Sequence, residues 1–103
     1  MHFIVKATIP NDAGNDMLRS GPKMQELIQK VLGDVKPDAA YFSVADGQRT
    51  LFLIVDIAEG YEMVRIAEPL WLGLECDVEV YPAMNVNEFD KAGPLLGSIV
   101  SKY

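Results

Sequence analysis

Cysteine is nearly absent from this chain. Its one residue, Cys76, rules out an internal disulfide framework. Cationic residues are few as well: nine Lys and Arg stand against fifteen Asp and Glu, for a net charge of -6. They are scattered along the chain, so no basic stripe faces a phosphate backbone, and nucleic acid is excluded as a partner. No apolar run approaches the ~20 residues of a membrane span. The first strand begins almost at residue 1, which leaves no room for a signal peptide and makes the cytoplasm the expected location. There is no Gly-rich phosphate loop and no nucleophile elbow. His2 is the only histidine, and it falls on the opposite strand face from Cys76, so a zinc site is not expected.

What is present is alternation. In the first strand, 2–9, the odd positions Phe3, Val5, Ala7 and Ile9 are apolar, while the even positions are His2, Ile4, Lys6 and Thr8. The third strand, 49–57, sets Leu51, Leu53, Val55 and Ile57 against Phe52, Ile54 and Asp56. The fourth, 75–81, sets Cys76, Val78 and Val80 against Asp77, Glu79 and Tyr81. Side chains alternate across a strand, so these sets define one core face and one mixed face of a sheet. Cys76 reads as a buried core thiol.

Helical spacing fills the gaps. Met17, Gly21, Met24, Leu27, Ile28 and Val31 recur at threes, fours and sevens over 15–32, after a turn at 11–14. Pro22 predicts a kink or two shorter helices there, and Gly33 predicts the end. Asp46-Gly47 is a hairpin turn between the second strand, 39–44, and the third. A second helix from Tyr61 is expected to bury Met63, Ile66, Ala67 and Leu70, to break or kink at Pro69 and to close at Gly73. Pro82 is expected to stop the fourth strand. In the tail, 84–103, Gly93-Pro94 and Gly97 are expected to break any long helix. Phe89, Leu96 and Val100 are expected to hold the tail on its own domain or on a partner.

The order β-α-β-β-α-β plus a C-terminal helical tail, in one domain over 1–103, is that of the ferredoxin-like α+β sandwich, with spatial strand order 4-1-3-2. Both helices then cover one face. The other holds Ile4, Phe52, Ile54, Tyr41 and Tyr81, too much apolar surface to leave wet. Pairing two such faces in a homodimer closes a barrel with a partly polar interior.

This plan resembles the dimeric α+β barrel superfamily, which includes muconolactone isomerases, small cofactor-free monooxygenases and haem-handling proteins. Phe3-Ile4-Val5-Lys6 is similar to the opening F-H-V-K strand of the muconolactone isomerases, with Ile4 at the histidine. Pro69-Leu70-Trp71 and Asp77-Val78-Glu79-Val80 resemble their P-L-aromatic segment and D-I-E-V strand. Ala39-Ala40-Tyr41-Phe42, Asp46-Gly47-Gln48-Arg49-Thr50 and Ala67-Glu68-Pro69-Leu70 look closer to an uncharacterised bacterial group of that superfamily. The resemblance implies a homodimer that binds a small organic molecule between the sheet and the helices or inside the barrel, with cofactor-independent isomerase chemistry as one activity.

Strand order places candidate chemistry on the open face. His2 is expected between Asp56 and Tyr81, Ile4 near Glu79, and Lys6 paired with Asp77. Glu79 and His2 are the candidate proton carriers: the first through desolvation, the second through a neighbouring carboxylate that fixes its tautomer. Tyr41, Phe52, Tyr81 and Trp71 are candidate aromatic walls, with Lys6 and Asp56 as polar binding groups. Arg49 and Arg65 are placed to reach across a dimer toward Glu79. No cofactor or metal is expected. Three readings stay open: an isomerase, a cofactor-free monooxygenase, and a non-catalytic binding or dimerisation module.

Overall fold

The computed structural model describes residues 1–103. Four strands, β1 (His2–Ile9), β2 (Ala39–Ala45), β3 (Gln48–Asp56) and β4 (Asp77–Ala83), form one antiparallel sheet in the order β2-β3-β1-β4. Four helices accompany them: α1 (Asn11–Arg19), α2 (Lys23–Val35), α3 (Met63–Leu74) and α4 (Val86–Val100). The alternation decides the layering. Val5, Ala7, Ile9, Leu51, Leu53 and Val55 point into one core with Met17, Met24, Val31, Val35, Ile66, Leu70 and Leu74. Cys76 joins that core at the start of β4, and burial, with Asp77 beside it, pushes its thiol up to about 12.

Proline and glycine act differently than their local chemistry predicts. Pro22 does separate two helices, and Gly21 takes φ +96 in the link rather than a place on the apolar stripe. α1, however, starts at Asn11, immediately after Pro10, with no intervening turn. Gly33 lies inside α2, which runs on to the fully buried Val35 before Lys36 caps it at φ 52. Gly73 likewise lies inside α3, whose left-handed cap is Glu75. An added Cβ at Gly73 would sit 2.7 Å from the Val31 side chain, so this glycine serves the close approach of α2 and α3. Pro69 stays within α3, and Met63, expected in the core, is exposed. Pro82 does not end β4, which reaches Ala83; β4 is an edge strand, where a missing N–H need cost no ladder bond.

The tail is helical, as expected, but it is not broken. Residues 86–100 form one continuous helix through Gly93, Pro94 and Gly97, and none of its residues is buried. The capping box of Asn85 and Glu88 starts it. Its apolar residues do not pack on the domain's own core: Phe89, Leu96 and Val100 are all exposed. At the far edge of the sheet, β2 also stands unpartnered, with Tyr41, Phe42 and Val44 exposed.

Candidate functional site

The open sheet face is best described in rows, because cross-strand partners stand side by side. One row reads Ala39, Ile54, Ile4, Tyr81; the next reads Tyr41, Phe52, Lys6, Glu79; a third reads Ser43, Thr50, Thr8, Asp77. Beyond the first row, Asp56, His2 and Ala83 form the end of the face. The face therefore grades from apolar through mixed to hydroxyl-rich. The register with β4 lies two residues from the expected one. His2 faces Ala83 rather than Tyr81, Ile4 faces Tyr81 rather than Glu79, and Lys6 faces Glu79 rather than Asp77. The expected pairing of His2 with Asp56 across β1 and β3 is present. Continuation of β4 through Pro82 accounts for the shift, since it adds two residues to the strand end that meets His2.

Charge and proton donors meet where the first and middle rows adjoin. The Lys6 ammonium donates to Asp46 Oδ2 at 2.8 Å, so its ion pair is with the hairpin turn and not with Asp77. That bond raises the Lys6 pKa, partly opposed by burial and reinforced by the charges of Asp46 and Glu79. The same bond lowers Asp46. One strand over, the Tyr81 hydroxyl donates to Glu79 Oε2. Its pKa is raised, first by that hydrogen bond, then by burial and the carboxylate charge. The phenol is thus held protonated beside a carboxylate acceptor. Phe52 separates Lys6 from Tyr41 in the row and is half-buried, while Tyr41 is exposed.

At the end of the face His2 lies between two carboxylates. Its Nδ1 is 3.0 Å from Glu88 Oε1 and its Nε2 3.9 Å from Asp56 Oδ2. Asp56 is held chiefly by the N-terminal ammonium at 2.9 Å, which lowers its pKa. Glu88 also accepts the backbone N–H of Asn85, the larger cause of its lowered pKa, with His2 second. His2 is therefore a bridge between the sheet and α4.

Seven of the eight sequence-derived site residues share the open face: His2, Lys6, Tyr41, Phe52, Asp56, Glu79 and Tyr81. Trp71 does not; it lies on α3, in the helical layer. Arg49 donates to Asn15 Oδ1 at 3.0 Å, and Arg65 donates to the Val35 carbonyl and to Glu62, so both are engaged within the chain. Sequence reasoning missed Asp46 and Glu88. The signal for Glu88 was its spacing from Asn85, a capping box three residues apart. For Asp46 no periodicity exists, since a hairpin turn folds back onto the face by tertiary geometry.

Between sheet and helices the space is filled, with Val5, Ala7, Leu53, Val35, Leu70 and Leu74 fully buried. Clefts of about 370 and 470 Å³ open instead on the outer helical layer, sharing Leu27, Leu72 and Gly73. A smaller one, about 200 Å³, opens beside Phe42 and Met24. No group of three or more His, Cys, Asp or Glu residues is arranged to hold a metal ion, and no helix is long and apolar enough to cross a membrane. No family model matches the chain, and no curated protein is significantly similar to it.

Proposed function

We propose that this chain is a homodimeric small-molecule-binding protein whose ligand, a small unsaturated or aromatic acid, lies between two sheets packed open face to open face. The observation that carries this reading is the middle row, where Tyr41 and Phe52 lead up to the Lys6 ammonium on one side and Glu79, hydrogen-bonded to Tyr81 of the adjoining row, stands on the other. A flat apolar ligand finds aromatic walls there, and its carboxylate finds Lys6 once Asp46, on its exposed turn, gives way. Ile4, Ile54 and Phe52 are apolar area that a lone subunit leaves open to water, and a second sheet removes it.

The catalytic version of this reading is a cofactor-independent isomerase, favoured by the Tyr81–Glu79 bond. Glu79 takes a proton from one carbon of the ligand, and the protonated Tyr81 phenol stabilises the charge that develops or returns a proton at another carbon. A monooxygenase and a purely structural dimer are the competing readings.

Light scattering on the eluting peak gives about twice 11.4 kDa if the faces pair. Titration with a panel of aromatic and unsaturated acids, followed by calorimetry, gives binding that Lys6→Ala and Phe52→Ala each weaken at least tenfold. A monomer, or a dimer whose binding is indifferent to both substitutions, removes the proposal. Turnover that disappears in Glu79→Gln and Tyr81→Phe separates catalysis from binding.

A further inference from the structure

Beyond its capping box and the His2–Glu88 contact, nothing in the chain supports α4. None of its fifteen residues is buried, and its interior holds Gly93, Pro94 and Gly97. Pro94 has no N–H to offer the Asp90 carbonyl, and the two glycines add backbone freedom. An isolated helix of this length is marginal in water even when rich in alanine. Packing must hold it, and its own subunit does not supply that packing.

The shape of the subunit says the same. Its radius of gyration is 17.0 Å, against about 13 Å for a compact chain of this length. It measures 60 × 28 × 18 Å, and a fifteen-residue helix contributes about 22 Å of such an axis. Its accessible surface is 6868 Å², whereas a folded monomer of this mass exposes roughly 5,800 Å². The excess, roughly 1,100 Å², is comparable with the ~800 Å² that each partner loses in a stable pair.

One side of α4 is built for contact. Phe89, Ala92, Leu96, Ile99 and Val100 recur at intervals that place them on one stripe, opposite Asn87, Asp90, Lys91 and Ser98. Glu88 lies on the same line as Ala92 and Ile99, and Glu88 reaches His2 on the open sheet face. The stripe is therefore continuous with the open face at its His2 end. The molecule presents two uncovered apolar surfaces that meet at the His2–Glu88 contact. A single two-fold rotation covers both at once, because in an isologous pair each copy gives what it receives.

We propose that α4 is an exchanged arm, its apolar stripe packing on a second copy of this chain at the His2 end of the sheet while its own subunit receives the partner's arm. The proposal rests on the reading of this chain as a homodimer. Its test keeps the two apart.

The experiment mixes isotopically labelled and unlabelled full-length chains and records nuclear Overhauser effects filtered for contacts between copies. Methyls of Leu96, Ile99 and Val100 are expected to show contacts to the other copy. The exposed-site double variant Leu96→Asp/Ile99→Asp is expected to weaken self-association at least tenfold. The sheet variant Ile54→Asp is run beside it. A pair that Ile54→Asp breaks, but that the arm variant leaves intact and without contacts between copies, overturns the arm and leaves the sheet pairing standing. A pair that only the arm variant breaks supports the arm and removes the sheet pairing. A chain that is monomeric throughout, with α4 folded on its own domain or random in its shifts, overturns both.

Discussion

α3 and α4 each carry a proline in the interior, and each remains one helix. They differ in what surrounds them. α3 buries Ile66, Ala67, Leu70 and Leu74 against the sheet and α2, and it closes on a left-handed Glu75 beside the buried Cys76. α4 buries none of its residues. A proline costs about 3 kcal/mol in a helix interior relative to alanine, and a glycine about 1. In α3, burial of two leucines and an isoleucine, at about 1.5–3 kcal/mol each, exceeds that cost. In α4 the same account stays open until another surface closes it. Proline therefore reports how much tertiary support a helix has, rather than where it ends.

The comparison breaks most readily at Leu70. Leu70→Ala is expected to destabilise the domain by about 2–5 kcal/mol, read as a lower urea midpoint, whereas Leu96→Ala in dilute, dissociated protein leaves that midpoint where it was. A large effect from Leu96→Ala under dissociating conditions would mean that α4 packs on its own domain. Next in size is Pro94→Ala, which restores up to about 3 kcal/mol of helix propensity. Carbon chemical shifts of 86–100 are expected to become more helical at low protein concentration, with the core midpoint little changed.

Acid separates the two helices more gently. Glu62, before α3, is held below its ordinary range by the backbone N–H groups of Glu59 and Ala58, and Glu88 in α4 by Asn85 and His2. A lowered folded pKa stabilises above the unfolded value of ~4.3 and is lost as pH falls through the folded one. Amide shifts recorded from pH 6 to pH 3 are expected to show α4 fraying first, because α3 keeps its core contacts after its cap is protonated. Simultaneous loss would remove the distinction. The smallest effect is at sulfur. With its thiol pushed up to about 12, Cys76 is expected to resist alkylation at pH 8 in the folded chain, while a Ser98→Cys thiol on α4 reacts at the rate of a free thiol. Because the folded pKa lies above the ~8.5 of a free cysteine, stability is full below that pH and declines as pH rises toward 12.

The sheet was legible because alternation is a local signal with a global meaning. Once Val5 and Leu53 share a face, the strand order and the partition of the site residues follow. What escaped depended on support from a distance. Gly33 and Gly73 have the composition of helix ends, but Val35 and Leu74 pull each helix onward into the core. Pro82 was misread because an edge strand tolerates what a central one does not, and that displaced the register of Glu79 and Tyr81 by two residues. Trp71 was assigned to the site by its aromatic character alone, although its position on a helix sets it on the other side of the sheet. The Lys6–Asp46 bond spans forty residues and has no trace in local pattern.

The bare edge at β2 leaves a row of backbone hydrogen-bonding groups without a neighbouring strand. Its seven residues, AAYFSVA, hold no charge and no proline, and both side-chain rows include exposed aromatics or valine. Natural edges are usually guarded by lysine, proline or a bulge, since an unguarded strand templates the addition of another. Such an edge makes strand addition between chains the expected route to aggregation during refolding. Slow dilution refolding is expected to leave part of this chain aggregated at intermediate denaturant, and a single Ser43→Lys substitution on the edge is expected to raise the soluble fraction read by light scattering.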